Sequence, residues 1–237
     1  TQYYIRAYAT NSIGTAYGEE FNFTTLAPPW NCGELLSYEG QDYETILIGT
    51  QCWMAENLNV GVRIDGDQEP TDNGQAEKYC YDDDESNCDI YGGLYNWDEV
   101  MNYDTAEGGQ GLCPSGWHMP TDEEWKILEG EWDINYPVGD PEWDEMGWRG
   151  YNIGYRLKDN SWGGDVNFEF NAMPGGMLYY PAQFLHIGEY TRFWTSTQHS
   201  TSNPTKAYYR ALENGHNDSF RAVEQLHHGY SIRCIKD

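Results

Sequence analysis

Short segments in which apolar and polar residues alternate recur along the chain. A period of two predicts strands, because successive side chains of a strand point to opposite faces. The first pair lies at 4–9 and 21–24, around a turn at 11–14. The C-terminal third alternates most regularly and carries Asn/Gly/His-rich turns, which is typical of hairpins. In chain order, further strands are predicted at 44–48, 168–176, 188–197, 207–212, 220–223 and 229–235.

The segment 111–128 carries the start of a helix. Thr121 followed by Glu124 predicts a capping box, in which the hydroxyl and the carboxylate each accept a hydrogen bond from a backbone N–H at the helix start. Pro120 disfavours an earlier start, because it biases the preceding residue away from the α region. Trp125 and Leu128 then form an apolar stripe. The pattern therefore predicts a core helix that begins after Thr121.

A second short helix is predicted within 91–101, where Leu94, Trp97 and Met101 recur at helical spacing. Residues 155–158 are interpreted as a short helix or the end of a strand. Loops are predicted at 61–79, which is polar and turn-rich, at the acidic segment 80–88 within 80–91, and at 131–152, which is acidic and lacks periodicity. The expected fold class is therefore α+β, with two short helices, small antiparallel sheets and long loops.

The chain is strongly acidic, with 39 Asp and Glu against 13 Lys and Arg and a net charge of −26. This balance argues against nucleic acid as a partner, since phosphates would be repelled. A solvated acidic surface is the simplest interpretation, and divalent cations are compatible with it. No apolar run is long enough to span a bilayer, so no transmembrane segment is predicted.

Aromatic rings and disulfides are expected to stabilise this fold. The chain has 10 Trp and 20 Tyr but few Leu, Ile and Val, so the core must be built on aromatic side chains. Six cysteines without CxxC spacing indicate structural disulfides in an oxidising compartment, and they argue against a zinc or redox site. Many pairings are open. Among them we favour Cys32–Cys52, Cys80–Cys88 and Cys113–Cys234.

Six phrases along the chain resemble a single family. They are, in order, GTQCWMAENL, YGGLYNWDEVM, GLCPSGWHMPTDEEWKIL, FNAMPGGM, FWTSTQ and GYSIRCIKD. In this order they resemble the Fibrobacter succinogenes major paralogous domain, over about residues 38–237. The resemblance implies a secreted or surface protein, notably of Bacteroidetes and Fibrobacteres. It also implies a C-type-lectin-like fold, related to the formylglycine-generating enzyme and to the variable receptor proteins made by diversity-generating retroelements.

The N-terminal phrases YYIRAYATNSIG and YGEEFNFTT resemble the last two strands of a fibronectin type III domain. A lone hairpin is marginal in water, so it is expected to pack on the rest of the chain, on a neighbour or on an upstream domain. Because the chain starts at Thr1, it is expected to be a mature or excised part of a longer protein. Ala27-Pro28-Pro29 indicates a stiff linker. The expected organisation is a hairpin at 1–26, a linker at 27–37 and one domain at 38–237.

No enzymatic activity is predicted. Formylglycine-generating enzymes bind copper through two cysteines close together late in the chain, and here only Cys234 lies late. The acidic surroundings of Cys80 and Cys88 disfavour a reactive thiolate. His118 is interpreted as a structural histidine, hydrogen-bonded in the core. A carbohydrate hydrolase with paired carboxylates stays open, because so many acids make each pair uninformative.

Calcium is the cofactor that the acidic loops suggest, because it takes hard oxygen ligands. Sugar-binding C-type lectins carry Glu-Pro-Asn or Gln-Pro-Asp followed by Trp-Asn-Asp. Here Glu69-Pro70 precedes Thr71, and Trp-Asn-Asp is absent. Generic calcium sites stay open, with solvated acidic loops as the alternative, either within 140–145 or at Asp82, Asp83, Asp84 and Glu85.

The remaining candidate is a binding face on the C-terminal hairpins. In the retroelement-diversified relatives, the ligand surface lies between a WxS-like phrase and the final cysteine strand. The matching segment, 197–228, is rich in Gln, His, Asn, Tyr, Arg and Ser, which suits recognition, although a surface loop set without a ligand is equally compatible. The predicted ligand-binding residues are Trp194, Gln198, His199, Tyr208, Tyr209, Arg210, Asn214, His216, Asn217, Arg221 and His228.

The sequence therefore predicts a secreted or cell-surface, non-catalytic module that binds a glycan or a protein through its C-terminal hairpins. The first alternative is a structural subunit of an extracellular filament or surface assembly. In that case residues 1–26 would self-assemble by adding to, or docking on, the sheet of a neighbour. The second alternative is an uncharacterised carbohydrate hydrolase.

Overall fold

The computed structural model describes residues 2–24, 30–200 and 205–237. Its α-helices are α1 (Glu85–Tyr91), α2 (Trp97–Val100), α3 (Asp122–Trp132) and α4 (Ile153–Leu157), with 3-10 turns at Tyr81–Asp83, Pro141–Asp144 and Asn160–Trp162. Its strands are β1 (Gln2–Thr10), β2 (Thr15–Thr24), β3 (Leu36–Tyr38), β4 (Gln41–Tyr43), β5 (Thr45–Ile48), β6 (Gln51–Met54), β7 (Val62–Arg63), β8 (Glu77–Lys78), β9 (Trp117–His118), β10 (Gly147–Arg149), β11 (Met177–Tyr179), β12 (Gln183–Leu185), β13 (Tyr190–Gln198), β14 (Lys206–Glu213), β15 (Ser219–Gln225) and β16 (Ile235–Lys236).

Helix α3 begins where the capping box predicts. The Thr121 hydroxyl accepts a hydrogen bond from the Glu124 backbone N–H at 3.1 Å, and the Glu124 carboxylate accepts one from the Thr121 N–H at 2.8 Å. Trp125 and Leu128 are fully buried on the core side of the helix. Helix α3 is thus fixed at its start by local hydrogen bonds and along its length by apolar burial.

The C-terminal third forms a four-stranded antiparallel sheet in the order β10-β15-β14-β13. A second four-stranded sheet has the order β5-β6-β16-β9 and joins distant parts of the chain. In it Ile235 pairs with both Trp53 and His118. The small antiparallel sheets confirm the mixed α and β class, while β7 and β8 form a short parallel pair.

The core is aromatic, as the composition predicts. Trp53, Trp97, Trp125, Trp143 and Trp194 are all buried to 1% exposure or less. Edge-to-face contacts join neighbouring rings, with 5.1 Å between the centroids of Trp53 and Trp125. Large rings therefore fill the volume that aliphatic side chains fill in more usual cores.

The six cysteines form three disulfides, Cys32–Cys52, Cys80–Cys88 and Cys113–Cys234. These are the pairs favoured from the sequence. The third joins cysteines that are 121 residues apart in the sequence. It connects the loop before β9 to the residue immediately before β16. No helix within residues 2–24, 30–200 and 205–237 is long and apolar enough to cross a membrane.

Two predictions about helices need correction. The acidic segment 80–91 is not a loop throughout, because the Asp84 side chain caps α1 by accepting from the Ser86 N–H. The helix predicted within 91–101 shrinks to α2, because Leu94 and Tyr95 form β-bridges with Tyr79 and Tyr230. The described residues therefore hold four α-helices, where the sequence predicts two.

Four further segments differ from prediction. The predicted loop 61–79 contains the short paired strands β7 and β8. The predicted loop 131–152 contains a 3-10 turn and β10, whose pairing with β15 is a long-range contact. Within the predicted strands 168–176 and 229–235, a few residues form isolated bridges, namely Ala172, Gly176, Gly229, Tyr230 and Ser231, and regular pairing is found only at β16. These segments cross between sheets, so they lack a continuous partner strand.

The N-terminal segment forms the predicted hairpin of β1 and β2. Its large side chains are not covered by the described part of the chain, since Ile5 and Phe21 are 56% and 63% exposed. Residues 27–29 of the predicted linker lie outside the described residues. The rest of that linker is attached to the domain, because Cys32 is disulfide-bonded and Trp30 packs edge-to-face on Trp117 at 5.4 Å.

Candidate functional site

The predicted ligand-binding residues do not form one surface. His199, Asn214 and Asn217 are exposed, and Gln198, Tyr208 and His216 are partly exposed. The other five are buried and cannot face a ligand in this arrangement: Trp194, Tyr209, Arg210, Arg221 and His228.

Arg210 and Arg221 belong to a buried ion-pair cluster between α3 and the C-terminal sheet. Arg210 contacts Asp122 at 2.7 Å and Glu129 at 3.1 Å, and Arg221 contacts Asp122 at 2.7 Å. Arg149 contacts Glu129 at 2.5 Å. Burial alone would raise the pKa of Asp122, but the two arginines beside it lower that pKa well below its ordinary value. Arg210 and Arg221 therefore connect α3 to the sheet. This corrects their prediction as ligand-binding residues.

Trp194 and His228 are held by internal hydrogen bonds. The Trp194 indole donates to the Tyr95 carbonyl at 3.0 Å. The His228 Nδ1 accepts from the Tyr180 backbone N–H at 3.1 Å. Burial, with help from the neighbouring His227, lowers the pKa of His228 to about 4, so its ring is neutral at physiological pH. These side chains support the fold from inside.

The six accessible residues lie at opposite ends of the sheet. Gln198 pairs with Ala207 at one end of β14, while Asn214 follows the other end. The strand rises by about 3.3 Å per residue, which separates the two groups by roughly 20 Å. One small ligand cannot contact both groups.

Three of the predicted calcium ligands have hydrogen-bond or ion-pair partners within the chain. Asp83 accepts from the Gly66 N–H at 2.8 Å, Asp84 caps α1, and Glu85 pairs with Lys78 at 3.1 Å. Across residues 2–24, 30–200 and 205–237, no three His, Cys, Asp or Glu side chains are grouped so that they could hold a metal ion. The acidic segments at Asp82 and at 140–145 therefore gain no support as a calcium site from this arrangement.

The C-terminal sheet does contain an open cleft of about 230 Å³, at the start of β13 and the end of β14. We call it the Arg192 cleft. It combines a cation, two carboxylates, a histidine and apolar surface. Its lining residues are Met177, His186, Glu189, Tyr190, Arg192 and Glu213.

Three tyrosines hold the guanidinium of Arg192. Its Nε donates to the Tyr190 hydroxyl at 3.1 Å, and its Nη1 donates to the Tyr230 hydroxyl at 2.5 Å. The guanidinium carbon lies 4.6 Å from the ring centroid of Tyr209 and 5.1 Å from that of Tyr230. Cation–π contacts and hydrogen bonds thus fix its position.

An aromatic row extends from this cleft to the surface. Tyr179 lies on the same strand as Met177 and, two residues on, faces the same side. It is 44% exposed and stacks on His228 at 4.1 Å. Tyr230 follows at 6.4 Å from His228. An exposed ring is therefore connected to Arg192 through His228 and Tyr230.

A second cavity of about 210 Å³ lies away from the C-terminal hairpins, beside the Cys80–Cys88 disulfide. Its lining is mainly carboxylate and amide, including Glu56, Asn57, Asp89 and Asp159. It has no cation in its lining. We place the candidate site at the Arg192 cleft, where apolar, aromatic and charged groups converge.

The sequence interpretation missed Arg192, because the predicted binding segment was started at residue 197. A signal was available, since Tyr190, Arg192 and Trp194 alternate and so share one face of a strand. The partners Tyr209 and Tyr230 come from other strands, and no spacing in the sequence reveals that they meet Arg192.

Comparison with known protein families gives a match over most of the chain. The family model of the Fibrobacter succinogenes major domain matches residues 46–236. No curated protein and no solved structure matches the chain.

Proposed function

The chain belongs to the Fibrobacter succinogenes major domain family, and we propose that it is a secreted or cell-surface, non-catalytic module that recognises a glycan through the Arg192 cleft. A protein ligand at the same cleft is the alternative within this proposal. The three disulfides are compatible with an oxidising, extracellular setting.

One observation carries the proposal. Arg192 is held rigidly by tyrosine hydroxyls and rings at the floor of an open cleft, beside the carboxylates of Glu189 and Glu213. Aromatic rings present flat apolar surfaces, and charged groups at fixed positions set the direction of hydrogen bonds. A pre-organised site of this kind loses little conformational entropy on binding.

Glycan-array binding tests this function. We expect wild-type protein to bind a subset of glycans, and Tyr179→Ala to weaken that binding, because its exposed ring begins the row of rings that leads through His228 and Tyr230 to Arg192. Tyr151→Ala is the matched control, since Tyr151 is also exposed, at 58%, but lies between β10 and α4 and is not part of this row. Trp194→Ala is unsuitable, because Trp194 is fully buried and its loss would report on folding.

No binding to any glycan, or equal loss in both tyrosine variants, would contradict a glycan site at the Arg192 cleft. Turnover of a polysaccharide by the wild type would overturn the non-catalytic assignment in favour of a hydrolase.

A structural role is the second candidate, and the exposed N-terminal hairpin favours it. Ile5 and Phe21 are paired across β1 and β2 and leave apolar surface uncovered. If this surface drives self-assembly, sedimentation should show concentration-dependent oligomers that Ile5→Asp abolishes. Ile13→Asp, at the hairpin turn, is the control. A monomer at all concentrations would exclude this role.

A further inference from the structure

We propose that the Arg192 cleft selects sugars that carry a carboxylate, such as a uronic acid residue of a polysaccharide. This inference rests on the proposed glycan recognition and adds the charge of the ligand to it. It starts from the hydrogen bonds that Arg192 does not make.

Arg192 has an unused donor edge. Its Nε and Nη1 donate to Tyr190 and Tyr230, and in the described ranges its Nη2 donates to no residue. It also has no carboxylate at ion-pair distance in these ranges, whereas Arg149, Arg210 and Arg221 each have at least one. Glu189 and Glu213 line the same cleft, yet neither pairs with it. The tyrosines thus hold a cation open toward the cleft.

A carboxylate is the group that this edge fits best. The guanidinium is planar and always charged, and it presents its N–H groups in a fixed fork that matches a carboxylate. Because tyrosine rings and hydroxyls already hold the fork, little rotamer entropy is lost when a ligand binds.

The remaining lining groups favour a sugar over other anions. Glu189 and Glu213 are acceptors, so they require ligand groups that donate, such as sugar hydroxyls. A free sulfate or phosphate ion offers few donors to these two carboxylates, whereas a uronic acid residue carries hydroxyl donors beside its carboxylate. The cleft of about 230 Å³ is smaller than the roughly 300–1,000 Å³ of typical small-molecule pockets, which suits one sugar residue.

The net charge of −26 does not prevent this contact. Charges farther away than about 8 Å are largely screened at physiological salt, whereas the guanidinium would touch the ligand directly. Ligand hydroxyls donating to Glu189 and Glu213 would offset the repulsion from those two carboxylates. The local pairing can therefore outweigh the overall field.

Titration calorimetry with the intact wild-type chain tests the inference. The probes are an oligogalacturonate, its methyl ester and a neutral galactose oligomer of similar length. The ester keeps the sugar and replaces the charged carboxylate by a neutral group with one added methyl, and the galactose oligomer is a second neutral probe without that methyl, so this comparison needs no variant. We expect the acid to bind about 10- to 100-fold more tightly than its ester, the effect of a charged hydrogen-bonded pair.

Two variants locate the effect. In Arg192→Gln the affinity for the oligogalacturonate should fall to that for its methyl ester. Arg192→Lys should retain only part of the preference for the acid, because an ammonium group lacks the planar pair of N–H donors. Arg63→Gln is the control, since Arg63 is a surface arginine with its own carboxylate partner at 2.6 Å. It should leave the preference unchanged.

Equal binding of acid, ester and neutral oligomer would overturn the inference and leave the proposed glycan recognition standing. A sulfated oligosaccharide that binds as tightly as the acid would also overturn it. If none of these probes binds and the glycan array shows no binding either, both proposals are contradicted. Binding of a peptide in place of any sugar would replace the glycan assignment.

Discussion

At the scale of single residues, His118 shows how one side chain joins two parts of the fold. Its Nδ1 lies 2.7 Å from an Asp237 carboxylate oxygen, and its Nε2 lies 2.9 Å from a Glu124 carboxylate oxygen. Both ring nitrogens must donate to satisfy both carboxylates, which requires the protonated ring. The hydrogen bond to Glu124 raises the pKa of His118, burial opposes this in part, and Asp237 adds to it.

The first prediction is a pH dependence of stability. The folded-state pKa of His118 lies above its ordinary 6.5, so the folded protein holds this proton more tightly than the unfolded chain. The stabilisation is fully present below the ordinary pKa and is lost as pH rises through the folded pKa. Urea unfolding of the wild type and of His118→Gln across this range should show their free energies of unfolding converge with rising pH.

NMR titration of the His118 ring provides the independent check. A folded pKa at or below 6.5 would contradict the prediction, as would a difference between the two proteins that grows with pH. The result would also test the interpretation of His118 as a structural histidine, made from the sequence alone.

At the scale of elements, α3 attaches to the C-terminal sheet through charge as well as through apolar packing. Asp122 and Glu129 are seven residues apart, so they lie on the same buried face of α3. Arg149, Arg210 and Arg221 of the sheet form ion pairs with them. Ser219 also donates to Glu129, at 2.6 Å. Removing one partner of such a cluster leaves the others buried and unpaired, which is more costly than losing the attraction alone.

The second prediction concerns this cluster. Glu129→Gln should lower the free energy of unfolding by about 3–5 kcal/mol, because buried Arg149 loses its carboxylate partner and Arg210 keeps only Asp122. Glu123→Gln is the matched control on the same helix. Its side chain is 72% exposed, so its effect should stay within about 0.5 kcal/mol. Urea unfolding measures both, and equal midpoints would show that the cluster contributes little.

At the scale of the whole molecule, the C-terminus closes the fold. Strand β16 lies between β6 and β9, and Cys234 is bonded to Cys113. The segment around α3, which carries the predicted capping box, is thereby connected to the last strand. It acts as a scaffold for the hairpins, and the Arg192 cleft lies on those hairpins.

The third prediction compares two buried disulfides. A cross-link stabilises by restricting the unfolded chain, and more so for a longer loop. The double variant Cys113→Ala and Cys234→Ala should lower the free energy of unfolding by roughly 5 kcal/mol, since the two cysteines are 121 residues apart in the sequence. Cys80→Ala with Cys88→Ala, at a separation of 8 residues, should cost roughly half as much. Denaturant unfolding of both double variants measures these losses. A larger loss of stability in the Cys80 and Cys88 variant would contradict the loop-entropy account.

The sequence by itself determined the features that depend on near neighbours. Thr121 and Glu124 are three residues apart, so their capping box could be predicted from spacing. The alternation of the C-terminal strands and the aromatic composition of the core were also readable, because period and composition are properties of the sequence. The ordered family phrases identified the family that residues 46–236 match.

Only the tertiary structure decided which polar residues are inside and which meet. Arg210 was predicted to face a ligand but lies opposite Asp122, 88 residues earlier. Arg192 donates a hydrogen bond to Tyr230, 38 residues later, and this contact helps to fix the guanidinium that lines the cleft. The partners of Arg210 and of Arg192 both depend on which face of its strand each arginine occupies and on which elements pack against that face. That face is set by sheet order and by helix placement, which are long-range contacts that no local spacing encodes.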